Sequence, residues 1–226
     1  MSTKSPEVSR RRLPRALSRP EQAAKDLREQ IISGELQPGQ PLREEEYAKG
    51  YEISRNTVRE AFQLLAHEGL VEHIPYRGVH IRRLGAADIR ALYRTRQLIE
   101  PLGLQAVLAD PEAQSELRAK VDEAVAAAER DDWQEVGTAD IEFHRILIKA
   151  CNSPHLSAMF EQLLAELRLA FLQLSDSRQL HRPYLDRNRA LLERIEAGDT
   201  DDLAAELADY LETAEHDVLR DLDPES

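Results

Sequence analysis

Two hydrophobic periods divide the chain. From Glu21 to Ile81, helical stripes give way to short alternating runs; from Ala86 onward only the helical period remains. Ala24, Leu27, Ile31 and Ile32 line one face of a helix expected over Glu21–Ser33 and ended by Gly34. Pro38-Gly39 marks a tight connection, and Glu44–Gly50 a short second helix. Ser54 is a good N-cap for a third helix running to Glu68, with Val58, Ala61, Phe62, Leu64 and Leu65 as its stripe and Gly69 as its stop. Leu70–Ile74 and Val79–Ile81 read as two strands around the turn Pro75-Tyr76-Arg77-Gly78. Three helices and a hairpin predict a winged helix-turn-helix over residues 21–84.

Arg82-Arg83-Leu84-Gly85 forms the boundary to the second part. There, helices are expected near Ala87–Ala109, Pro111–Glu129, Trp133–Cys151, Pro154–Ser175, Pro183–Ala197 and Thr200–Leu219. Pro111, Pro154 and Pro183 fall near helix starts, where a missing N–H costs nothing. Short loops between them predict an all-α bundle of six to seven helices over residues 85–226, and the chain as a whole is mainly α. Residues 1–20, rich in Ser, Pro and Arg without periodicity, are expected to be a disordered basic tail.

Charge sharpens the division. The net charge of -12 alone argues against nucleic acid. Residues 1–84, however, hold 15 Lys and Arg against 12 Asp and Glu, and residues 85–226 hold 15 against 30. The first twenty residues carry most of the basic excess, so residues 21–84 come to -2. A DNA-binding face must then be a local cluster of Arg55, Arg59, Arg77, Arg82 and Arg83. The longest stretch free of Asp, Glu, Lys and Arg, Ala150 to Phe160, is too short for a membrane span, and the N-terminus lacks the apolar core of a secretory signal. A soluble cytoplasmic protein with no membrane contact is expected. The single Cys151 excludes an intrachain disulfide framework and a cysteine-based zinc site.

The third helix carries the sharpest chemistry. Arg55, Asn56, Thr57 and Arg59 fill its first turns, mostly off the apolar stripe. Arg can bond guanine O6 and N7, Asn can bond adenine, and Thr can contact phosphate or a thymine methyl, so the helix suits the DNA major groove.

With these residues in hand, the chain resembles the GntR family of bacterial transcriptional repressors, in its FadR-like branch with an FCD effector domain. The resemblance runs from about Ala23 to Leu219. It is carried by Ser54-Arg55-Asn56-Thr57-Val58-Arg59-Glu60-Ala61, by Glu68-Gly69-Leu70-Val71-Glu72 and by the wing Pro75-Tyr76-Arg77-Gly78. The run from Leu92 to Pro101, Asp140-Ile141-Glu142-Phe143-His144 and Ile195-Glu196-Ala197-Gly198-Asp199 complete it. It implies a homodimer reading a short palindromic operator of double-stranded DNA with two recognition helices. The wing, with Tyr76, Arg77 and Gly78, would reach the adjacent minor groove. Asn56 stands where the family has Thr or Ser. Glu45 stands where relatives often have Arg, leaving Arg43 as a substitute contact.

The resemblance also implies a divalent metal, zinc or nickel, held by an Asp-x-x-x-His pair and two later histidines. Asp140 and His144 supply the pair and share one helix face; on its own, the spacing fits a helical Asp–His hydrogen bond as well. The two histidine positions are Asn188 and Tyr210, neither a usual zinc ligand. No cofactor is therefore certain, and the metal site at Asp140 and His144 is expected to be incomplete. His181 is set aside because Pro183 separates it from the next helix. What remains is an inward-facing polar set, Arg96, Asp140, His144, Asn188 and Tyr210. Arg96 either holds the carboxylate of a small organic-acid effector or forms a buried pair with Glu100, one turn away. An enzyme or metal-binding bundle with an accessory winged helix is the alternative function. Against it, the sequence has no nucleophile elbow, phosphate loop or complete metal set.

Overall fold

The computed structural model describes residues 17–222; most of the expected basic tail lies outside them. The first helix, α1, runs Arg19–Ser33 and so begins inside the stretch expected to be tail. Ser18 and Glu21 cap it reciprocally, with Pro20 in the first turn. A two-residue strand, β1 (Pro41–Leu42), precedes α2 (Glu44–Gly50) and the recognition helix α3 (Arg55–His67). β2 (Val71–Ile74) and β3 (Gly78–Ile81) form the hairpin, and β1 adds to its far side, giving the antiparallel order β1-β3-β2. β1 has no counterpart among the two strands that the sequence predicts. Leu27, Ile31, Val58, Ala61, Phe62, Leu65, Leu70 and Ile81 close the core of this part. Leu64, expected on the stripe, is largely exposed, because the stripe centres on Val58, Ala61 and Leu65.

Six helices follow among the described residues: α4 (Ala86–Val107), α5 (Pro111–Glu129), α6 (Trp133–Lys149), α7 (Pro154–Phe171), α8 (Ser177–Ala197) and α9 (Leu203–Leu222). α6 is the hub, packing on α4, α5, α7 and α8, while α9 closes on α4 and α8. Gly103 of α4 permits a close crossing, since a Cβ there would lie 2.5 Å from the Leu147 carbonyl oxygen of α6. α8 corrects the sequence reading. It starts at Ser177, capped by Asp176, and Pro183 lies inside it. The proline lacks an amide to donate back along the helix, but the turns on either side hold the helix through it. His181 and Asn188 therefore share one helix and one buried face.

Candidate DNA interface and effector cavity

Ser54 caps α3 through its Oγ, which accepts the Thr57 amide at 3.1 Å and lies 2.8 Å from the Thr57 hydroxyl. This cap sets Arg55, Asn56 and Thr57 in the first turn, where the helix dipole and free amides favour an anionic partner. Arg55, Arg59 and Arg43 each already have a carboxylate from the start of α2. Arg59 forks onto Glu44 at 2.9 and 2.7 Å, Arg55 reaches Glu45 at 2.7 Å, and Arg43 reaches Glu46 at 3.1 Å. Asn56 donates to Glu60 at 2.9 Å. The Arg59 hydrogen bonds hold the Glu44 carboxyl below the usual carboxylate range. Arg55 and Glu45 are both well exposed, and such pairs contribute about 0–1 kcal/mol, so DNA can displace them at small cost. Glu44 is the least exposed of the three carboxylates and acts as the anchor.

At the wing tip, Tyr76 has φ 64° and is fully exposed, and the Arg77 amide closes the turn on the Ile74 carbonyl at 3.0 Å. Gly78 has φ 84°, and a Cβ there would meet nothing within 4 Å. The glycine serves the backbone conformation and leaves room at the tip, rather than fitting protein packing.

All five inward residues predicted for the cavity lie together in the bundle. Asp140 Oδ1 accepts from the Asn188 amide at 2.7 Å and lies 3.0 Å from the Tyr210 hydroxyl. That hydroxyl donates to Asp140 and is also 3.2 Å from His144 Nε2. His144 Nδ1 donates to Glu100 at 2.7 Å, and Arg96 Nε donates to the other oxygen of the same carboxylate at 2.6 Å. The Arg96–Glu100 pair is therefore present, and Glu100 is a site residue that the sequence reading left outside its set. Burial raises the Glu100 carboxyl, but Arg96 and His144 outweigh it and hold the group ionised. Burial also raises the Tyr210 phenol well above its ordinary value.

The network leaves two polar atoms over. Among the described residues, Arg96 Nη2 and Asn188 Oδ1 are buried without a partner. Two cavities flank Asp140, each with room for about one water molecule at roughly 10 Å³. His181 borders both, and Tyr184 and Phe171 close one of them. Burial pushes the His181 imidazole down to about 4, so it is neutral here. A divalent ion does not fit this donor set. Asp140 Oδ1 already accepts from Asn188 and Tyr210, and these two residues, neither a usual zinc ligand, occupy the remaining positions. Among the described residues no group of three or more His, Cys, Asp or Glu is placed to hold a metal ion.

Known proteins share both parts. Residues 19–81 match the family model "Bacterial regulatory proteins, gntR family", and residues 91–213 match the FCD domain model. The HTH-type transcriptional repressor RspR of Escherichia coli K12 is 30% identical over 174 residues, 74% of this chain and 76% of its own. The HTH-type transcriptional regulator YdhC of Bacillus subtilis strain 168 is 30% identical over 146 residues, and the match spans 61% of this chain and 62% of that protein. A solved structure from Rhodococcus sp. RHA1, described as a transcriptional regulator GntR, superposes with a TM-score of 0.79 at 37% identity, covering 90% of this chain and 98% of that one. The two family models fall on the two parts of the fold, the first on the winged helix and the second on the all-α bundle. The chain belongs to the GntR family of bacterial regulatory proteins and carries an FCD domain.

Proposed function

We propose that this transcriptional regulator is a homodimeric repressor whose grip on a palindromic operator is changed by a small carboxylate bound in the bundle without a metal. The observation that carries the effector class is Arg96: it is 2% exposed, and its Nη2 points to no partner. A carboxylate entering beside Asp140 would take that donor, compete with Glu100 for the guanidinium fork and find the Tyr210 and Asn188 donors already aimed inward. The space is too small as it stands, so binding requires α8 or α9 to shift, and the ligand selects the opened arrangement by its differential affinity. Arg55, Asn56 and Arg59 read bases in this account, Arg43 and Thr57 hold backbone, and Tyr76, Arg77 and Gly78 enter the minor groove.

Support for the dimer comes from α4, where Leu98 is 72% exposed and Leu102, one turn on, is 57% exposed. An apolar stripe of this kind fits burial against a second copy. No enzymatic activity is proposed. A thermal-shift screen of mono- and dicarboxylates, followed by operator release with the hits, tests the effector class. A hit whose effect on operator binding survives Arg96→Ala unchanged would refute the anchor.

A further inference from the structure

α7 faces two ways. Phe171 packs edge-on against His181 beside the Asp140 cavity, ring centroids 4.9 Å apart. Arg168, three residues earlier, reaches into the winged-helix part. It is 1% exposed, and its Nη2 donates to the Ser33 carbonyl at 3.2 Å and to the Thr138 hydroxyl at 3.2 Å. Nη1 donates to the Gln134 carbonyl at 3.5 Å, and Nε has no partner. Its surroundings thus offer carbonyl and hydroxyl oxygens rather than a carboxylate, and burial pushes the guanidinium pKa down. Ser33 is the last residue of α1, so the cation sits at the negative end of that helix.

Two glycines make the slot. Gly34 follows α1 with φ 81°, and a Cβ there would lie 2.9 Å from Arg168 Nη2. Gly137 of α6 opens the bundle side: a Cβ there would stand 2.5 Å from His181 Nε2 and 3.2 Å from Arg168 Nη1. Gly137 precedes Asp140 by one helical turn. An apolar side chain would join the two parts at lower desolvation cost than a buried arginine, so the arginine's contribution is to fix a particular geometry. α1 packs along α3, so a tilt of α1 carries the recognition helix with it.

We propose that Arg168 is a positioning residue that sets the winged helix on the effector bundle and relays the state of the Asp140 cavity, through His181 and Gly137, to α3. The relay rests on reading the bundle as the effector domain. A cavity that opens moves His181 against Gly137 and Arg168, and the Arg168 fork passes the shift to the end of α1.

The test needs no effector. Full-length Gly137→Ala, Arg168→Met and the double variant are compared with the parent on an operator selected from random DNA. Ala at 137 is favoured in a helix, so its methyl group wedges between His181 and Arg168 without weakening α6. Gly137→Ala is expected to change operator affinity at least about threefold while random-DNA affinity stays constant. In the Arg168→Met background the same wedge has no further effect. Independent, multiplying effects would overturn the relay, as would folded variants with lower melting points and unchanged operator affinity. If Arg168→Met does not fold, Arg168→Lys, which keeps the charge at the end of α1, takes its place in the same cycle. A protein whose melting point no carboxylate shifts would sink the effector reading and leave this cycle standing.

Discussion

The Asn188 amide of α8 donates to the Asp140 carboxylate of α6 at 2.7 Å, at a position where the family pattern has a histidine. A proton donor thus faces the carboxylate from a place that could have held a second metal ligand. Tyr210 occupies the other such place, with its hydroxyl 3.0 Å from the same oxygen. Restoring both histidines, Asn188→His with Tyr210→His, should give about one zinc per chain, while the parent stays far below that. Elemental analysis after metal-free purification reads the difference. A parent carrying stoichiometric zinc would contradict the account of the cavity.

Glu166 lies at the junction of the two parts, facing Arg82 and Asp88, and burial pushes its carboxyl up to about 7. Its folded-state value is above the unfolded one, so the folded state holds an extra proton between about 4.5 and 7. The associated stability is present at low pH and is lost as pH rises through 7. Glu166→Gln removes that loss. Its melting temperature should exceed the parent's by about 2–4 °C above pH 7, with no gain below pH 5. A gain of equal size at both ends would point to packing instead.

Leu98→Arg with Leu102→Arg should shift the chain toward monomer in sedimentation and weaken binding to a two-fold operator. Far-UV circular dichroism should be unchanged, since both side chains point outward. A variant that remains dimeric would place the interface elsewhere.

Ser54→Ala removes the cap of the recognition helix and should cost about 1 kcal/mol of stability in chemical denaturation. It should also loosen the first turn, so operator affinity falls more than random-DNA affinity does.

Much of this was legible in the sequence because the helical period is local. Asp140, His144, Asn188 and Tyr210 each sit on an apolar stripe, and the stripe alone turns them inward. Glu100 escaped because a partner one turn away, Arg96, already explains it; its bond to His144 joins residues 44 apart in sequence, which no local pattern carries. Pro183 reads locally as a helix start and so hides His181, whereas the Asp176 cap lies further back. β1 is two residues long and is held by its pairing with β3, so its signal is tertiary. Arg168 is one arginine in an amphipathic helix, and only the end of α1 gives it meaning.

Base reading by α3 is the central element of the proposed function. Among the described residues Arg55 is paired only with exposed Glu45, a partner it can exchange for a guanine. Selection from random DNA, followed by affinity measurement at fixed salt on the selected operator and on scrambled DNA, tests it for the parent and Arg55→Ala. The expected result is a two-fold symmetric operator and a loss of about 1–3 kcal/mol for Arg55→Ala on that operator alone, with relaxed preference at one base pair in each half-site. Equal losses on operator and scrambled DNA, or an enriched sequence without symmetry, would contradict it.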